Sequence, residues 1–243
     1  MATIDFGRIV PKLEACFARH DLEGAERLLL YWREEAAACG DLRTLTQVDN
    51  ELLGVYRRLN AREKGLAVAS RLLPTLVDDN VGDATVLLNV ATNYCHFGLP
   101  ELAAPLYAKV ERTFLAHLPE DDYRLSSFYN NKASMYTSTK QYAAAEQCYR
   151  KALDVMRRIE PIMPEMAVTL VNLAVSIYMQ NPLSAAVDEA MREAYRVVCL
   201  DTMVHDGNFA FVLSKLIPVF RHLGYKDELA SLETMLRKVE QNS

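Results

Sequence analysis

The chain has 243 residues, 51% of them apolar, and a formal net charge of −5 at pH 7 with acidic and basic side chains interspersed. Such a surface repels phosphate backbones, which argues against nucleic acid as a partner. The apolar stretch Ala167–Met179 is short and broken by Asn172, so no membrane span is expected; the opening MATIDFGRIVPK lacks the apolar run of a secretory leader, which points to a cytoplasmic protein.

A polar or glycine break recurs along the chain at His20, Asn60, Gly98, Lys140, Asn181 and Gly224, with spacings of 40, 38, 42, 41 and 43 residues. Periods of this size belong to stacked helical hairpins. Apolar residues surround each break at helical spacing, and no strictly alternating stretch with hairpin-turn dipeptides competes. Twelve helices are therefore predicted in six hairpins, over approximately 9–39, 42–77, 83–117, 121–159, 164–200 and 206–241, as one all-α solenoid occupying 1–243. In the first hairpin Pro11 shortens the opening helix, and Trp32 is placed to pack on the next hairpin. The second has Leu53 and Tyr56 before its break and Gly65 after it. The third follows DDNVGD, from Asp78, whose acidic spacing is wrong for a calcium loop and which reads as a turn ending in an N-cap aspartate at Asp83; Pro105 is predicted to kink its second helix. The fourth starts after Glu120–Asp122, and the last should bend at Pro218.

Small residues recur where two helices of a hairpin must approach. Ala91, Ala133 and Ala174 stand seven residues before their breaks, and Ala103, Ala145 and Ala186 stand five after. The predicted crossings pair them, with larger side chains filling the space a turn away. Five cysteines, Cys16, Cys39, Cys95, Cys148 and Cys199, are widely spaced with no C-x-x-C pair, and are read as buried thiols rather than as a disulfide framework or a zinc site.

The segments LYAKV, CYRKAL and AMREAY resemble the second-helix signature of tetratricopeptide repeat proteins. The spacing near 42 and the segment RIEPIMPEMAVTLVNLAVSIY resemble the longer repeats of the kinesin light chain branch of that family. The resemblance runs over Asp83–Leu200 and is fainter over Leu42–Val77. It implies a right-handed superhelical solenoid of about six hairpins whose first helices line a concave groove, with terminal hairpins acting as caps.

No hydrolase, metalloprotease or nucleotide-binding motif is present, and Cys95 and His96, adjacent on a helix, point about 100° apart and cannot serve as nucleophile and base. The histidines show no metal-ligand spacing; neither metal nor cofactor is expected, and the chain reads as non-enzymatic. What remains is a stripe at nine, six, three and two residues before each break. It comprises Asn89, Thr92 and His96 in the third hairpin, Asn131, Ser134 and Thr137 in the fourth, and Asn172 and Tyr178 in the fifth, flanked by Arg57 and Arg58 of the second and by Lys215 and Arg221 of the last. Asparagine is a mediocre helix former, so its use at the same register three times running asks for a reason. One reason is that its amide matches the N–H and C=O of an extended peptide; another is that it ties neighbouring hairpins. The expected partner is a protein or extended peptide segment, with the flanking cations suited to an acidic one. The chain itself is expected to be a monomer or weak homodimer, the alternative role being that of a self-associating assembly scaffold.

Overall fold

The computed structural model describes residues 4–19, 21–77 and 79–242. His20 and Asp78, used above as a break and as the start of the acidic turn, lie outside the described residues. Among those described, all regular structure is helical. Twelve α-helices run in order as α1 (Val10–Ala18), α2 (Leu22–Cys39), α3 (Leu42–Arg58), α4 (Arg62–Leu72), α5 (Val81–His96), α6 (Pro100–His117), α7 (Tyr123–Ser138), α8 (Tyr142–Met156), α9 (Glu165–Tyr178), α10 (Ala185–Val198), α11 (Gly207–Leu223) and α12 (Lys226–Asn242), with short 3-10 turns at Phe6–Arg8 and Leu73–Thr75.

Helix starts are written by short polar side chains. Asp21, Asp41, Asn80, Asp122 and Asp206 each cap a helix by accepting a bond from a backbone N–H two or three residues on. The cap of α5 is Asn80 rather than Asp83. Asp83 sits in the first turn, where its N–H binds Asn80 and its carboxylate accepts from the Val77 N–H at 2.9 Å. The breaks owe their sharpness to left-handed backbone: φ is 51° at Asn60, 74° at Gly98, 59° at Lys140 and 87° at Gly224. Glycine adopts that conformation without a Cβ penalty, whereas Asn60 and Lys140 hold it because the hairpin requires it. Pro105 and Pro218 lie inside α6 and α11, which run on through them.

The chain divides into two compact units, residues 1–117 and 118–243. In the N-terminal unit α1 packs on α2, α2 on α3, α3 on both α4 and α5, and α5 on α6. Its crossings use Ala25, Gly65 and Ala103, all buried. Asp49 of α3, 5% exposed, is clamped by Arg33 of α2 (Nε–Oδ1 3.0 Å) and Arg71 of α4 (Nη2–Oδ1 3.1 Å). One carboxylate thus ties three helices. In the C-terminal unit α9 packs on α8, α10 and α11, and α7 on α8, around a contiguous core that includes Leu153, Leu170, Met191, Phe209, Leu216 and Phe220. Ala133 of α7 and Ala145 of α8 are fully buried.

The fifth hairpin departs from the predicted register. Its turn runs over residues 179–184, against 139–141 in the fourth, and Asn181 does not take the left-handed conformation. It instead folds an Asx turn, its side chain accepting from the Leu183 N–H at 3.2 Å. The added length shifts α10 by one position, so Val187 is buried where Ala186 was expected, and Ala186 is only partly so. The cysteines also differ from expectation: Cys16 and Cys148 are buried, Cys39 and Cys95 partly so, and Cys199 is exposed.

Polar links within each unit repeat with the period of the fold. Lys64–Glu26, Asn89–Asn50 and His117–Asp79 in the N-terminal unit, and Arg157–Glu193, Thr169–Asn130 and Tyr195–Ser231 in the C-terminal unit, join residues 36 to 39 positions apart. Within a unit, these links join neighbouring hairpins at nearly equivalent positions.

Candidate functional site

The stripe residues sit on the first helices of their hairpins, and most are half-buried. Asn89, Thr92, Asn131, Thr137, Asn172, Tyr178 and Arg57 are partly exposed, while His96, Ser134, Arg58, Lys215 and Arg221 are exposed. Which of them face a ligand and which are spent internally follows from their partners.

In the N-terminal unit the stripe forms a polar cluster on α3 and α5. The Asn89 side chain donates from Nδ2 to Asn50 Oδ1 at 2.8 Å, and the Asn89 backbone carbonyl accepts from Arg57 Nη1 at 3.3 Å. Asn89 therefore ties two neighbouring first helices. Burial, above all, holds the Arg57 guanidinium below its ordinary range, and Arg58 adds to the effect. Glu51, on the same face, is pushed up by burial against the opposing pull of Arg58 and Arg57. His96 is held below its ordinary value by desolvation and by the charge of Arg57. Arg58 lies over the Phe17 ring with its guanidinium carbon 4.5 Å from the centroid.

The third, fourth and last hairpins also show a contact that the stripe pattern does not contain. The residue three before the break meets the residue nine after it, on the second helix. In the third hairpin this brings Cys95 to the Tyr107 hydroxyl, which also lies 3.4 Å from Thr92 Oγ1; burial raises both the thiol and the phenol above their ordinary values. In the fourth, the Tyr149 hydroxyl approaches Ser134 and Thr137, and its phenol is likewise raised, burial being the main cause. In the last, Arg221 Nη2 binds Glu233 Oε1 at 2.7 Å. Arg221 is thus engaged by its own second helix. The second hairpin has Ala69 at that place, so Arg57 reaches the Asn89 carbonyl instead. The signal was readable in the repeat register, as Tyr107, Tyr149 and Glu233 all stand nine residues after a break.

In the C-terminal unit Asn131 and Asn172 keep the same helical register as Asn89, and Thr169 Oγ1 of α9 donates to Asn130 Oδ1 of α7 at 3.1 Å, a bond between first helices. Ser134 Oγ donates to the Asn130 carbonyl at 3.0 Å, the usual back-bond of a helical serine. Tyr178 packs edge-to-face with His222, ring centroids 6.3 Å apart. Lys215 reaches over the half-exposed Phe211 ring, 4.9 Å from its centroid. The charges are segregated: α7, α9 and α11 carry Arg124, Lys132, Lys215 and Arg221 against the single Glu165.

Among the described residues no cluster of three His, Cys, Asp or Glu side chains is placed to hold a metal, and no helix is long and apolar enough to cross a membrane. The arrangement offers amides, hydroxyls, aromatic edges and cations on helical faces.

Antiparallel helical hairpins of about forty residues, with small residues at the crossings and left-handed breaks, define a tetratricopeptide-like repeat fold. The tetratricopeptide repeat family profile matches residues 126–160, the fourth hairpin and the start of the following linker. Among solved structures, BtubC (BKLC) from P. vanneervenii is similar, with 21% identity over 79% of each chain and a TM-score of 0.68. The nearly identical TPR-like repeats of a kinesin light chain protein from Podosopora anserina are also similar, with 15% identity over 81% of this chain and 95% of that one and a TM-score of 0.58; a variant of that protein gives 16%, 81%, 96% and 0.59. No curated protein matches the chain. The resemblance to tetratricopeptide repeats of the kinesin light chain kind thus holds in the fourth hairpin's sequence and in the fold. Folds of this class generally mediate protein–protein interaction.

Proposed function

We propose that the chain is a non-enzymatic binding module, and that the first-helix faces hold an extended, acidic protein segment. The observation that carries this reading is the charge segregation in the C-terminal unit. Its first helices present four cations against one carboxylate in a protein whose net charge is −5. Arg124 is paired with Asp122 and Arg221 with Glu233, and Lys215 stands over the exposed Phe211 ring, the cation that this reading places against an acidic segment. Asn131 and Asn172 supply amides for the backbone of the bound segment, and Tyr178 an apolar edge. In the N-terminal unit Arg57, Arg58, Thr92 and His96 are the corresponding contacts, with Asn89 chiefly a tie.

The test is fluorescence polarisation with labelled extended peptides of graded charge. Acidic peptides should bind, and affinity should fall with salt. Asn131→Ala with Asn172→Ala removes two neutral hydrogen bonds worth about 0.5 to 1.5 kcal/mol each, a loss of roughly one to two orders of magnitude in affinity, and Lys215→Glu should weaken acidic peptides selectively. Equal binding of acidic and basic peptides, or unchanged affinity in all three substitutions, would sink the assignment.

Self-association is the second reading, favoured by Leu183, 93% exposed, and Met179, 51% exposed, at the turn of the fifth hairpin. Light scattering over a concentration series separates the two: a dimer that Leu183→Ser dissolves supports the scaffold role.

A further inference from the structure

The seam between α4 and α5 contains a packing defect, a buried side-chain amide with both polar atoms unpaired, where α7 has only the single buried hydroxyl of Thr137 without a partner. Asn93 of α5 is fully buried, and neither its Nδ2 nor its Oδ1 has a hydrogen-bond partner. Opposite it stands Gly65 of α4. A Cβ on Gly65 would come within 2.6 Å of Phe97 Cε2 and 3.0 Å of Asn93 Oδ1. The pair reads as an exchange of volume. Buried crossings elsewhere have alanine five residues after the break, at Ala25, Ala103 and Ala145, and here the missing methyl is replaced by an amide from the facing helix. Five residues before the break, the register position of Asn93, the other first helices carry Ala15, Val55, Met135 and Val219, or Ser176, whose hydroxyl donates to the Asn172 carbonyl at 3.0 Å. Only Asn93 is both polar and unsatisfied among these.

A buried amide without partners regains its hydrogen bonds when the surface covering it moves away. The rims of the seam are bonded: the Arg62 guanidinium donates to the Phe97 carbonyl, and on the first-helix side Asn50 and Arg57 hold Asn89. α4 itself starts without a side-chain cap, at Ala61. We propose that the α4–α5 seam is a built-in opening point of the N-terminal unit, at which α5 parts locally from α4 around Gly65 and Asn93 and the helical turns bordering the seam transiently lose their backbone hydrogen bonds. The Arg62 link acts as a latch across it, while Asn50 and Arg57 anchor α5 to α3. The motion alters the spacing of α3 and α5, and the inference stands on packing alone, independently of any ligand.

Hydrogen exchange read by mass spectrometry on the full chain tests this. After correction for intrinsic rates, α4 and α5 should be less protected than α8 and α9. Asn93→Leu keeps the shape and removes the unpaired amide, so it should raise protection in α4 and α5 by roughly five- to a hundred-fold, the range implied by the cost of burying an unpaired polar group. Protection in α8 and α9 should not change. An unaltered or lowered protection would show that the amide is paired in solution and overturn the proposal; so would a rise of equal size in both units. Gly65→Ala provides the converse test, because its methyl wedges the seam. It should lower protection at α4 and α5 about ten-fold or more with unchanged helical circular dichroism, and unchanged protection there counts against the opening.

Discussion

The two units are built to one repeat grammar and stabilised in different ways. The N-terminal unit places ions and amides inside: Asp49 between Arg33 and Arg71, Asn93 unpaired, Asn89 bonded to Asn50. At the registers of Asp49 and Asn93 the C-terminal unit instead carries Tyr129, Leu170 and Leu213, and Met135, Val219 and Ser176, whose hydroxyl bonds its own helix. Apolar packing is tolerant of sequence as long as volume is kept, whereas a buried carboxylate demands its partners in one geometry. A repeat fold therefore fixes where residues are buried while leaving open which interaction holds them.

That contrast can be broken from either side. The largest effect is expected in the apolar unit: Phe209→Ala, at a fully buried site, should cost about 3 to 5 kcal/mol, seen as a fall in the urea midpoint. Asp49→Ala should come next. Breaking a buried ion pair costs about 3 to 5 kcal/mol, but Arg33 and Arg71 are 30% and 41% exposed and can recover water, so about 2 to 3 kcal/mol is expected, confined by hydrogen exchange to the N-terminal unit. Ala133→Leu overfills the crossing with Ala145 and should destabilise the C-terminal unit by about 1 to 3 kcal/mol; an unchanged midpoint would mean the crossing yields without strain. Asn89→Ala loses its bond to Asn50 and should cost about 1 kcal/mol, while Asn172→Ala at the equivalent register should be neutral or slightly stabilising, alanine being the better helix former. Equal thermal shifts in the two would erase the distinction between a tie and a presented amide.

The smallest effect is a pH dependence. Burial raises the Glu51 carboxyl above its ordinary value, so the folded state holds that proton more tightly than the unfolded state does. Stability from this group is lost as pH rises from the unfolded value through the folded one. Glu51→Gln should remove that slope, so urea midpoints of the variant and the parent should converge at the acid end of the window and separate, in favour of the variant, above it.

Helix pairing and the left-handed breaks were legible because they depend on single residue types at fixed spacing: a glycine at Gly98 or Gly224, an alanine at Ala103 or Ala145. The stripe was legible as a register but not as a site. Whether Asn89 faces a ligand or a neighbour depends on Asn50, thirty-nine residues away, and whether Arg221 is available depends on Glu233. Periodicity averages over such pairs. The fifth hairpin shows the same limit, since the spacing of 43 residues from Asn181 to Gly224 held the sign of a longer turn, yet only the backbone tells that Val187 takes the buried place.

The polar links of one repeat length carry a mechanical implication. Lys64, Asn89, Arg157 and Tyr195 each reach just one hairpin away, so among the described residues these bonds clamp no remote parts of a unit together. Under tension from its ends such a chain has no single clasp to break. It should yield hairpin by hairpin, each step releasing about 40 residues, or roughly 140 Å of extended chain. A pulled molecule of this design lengthens in small, recoverable increments and behaves as a spring.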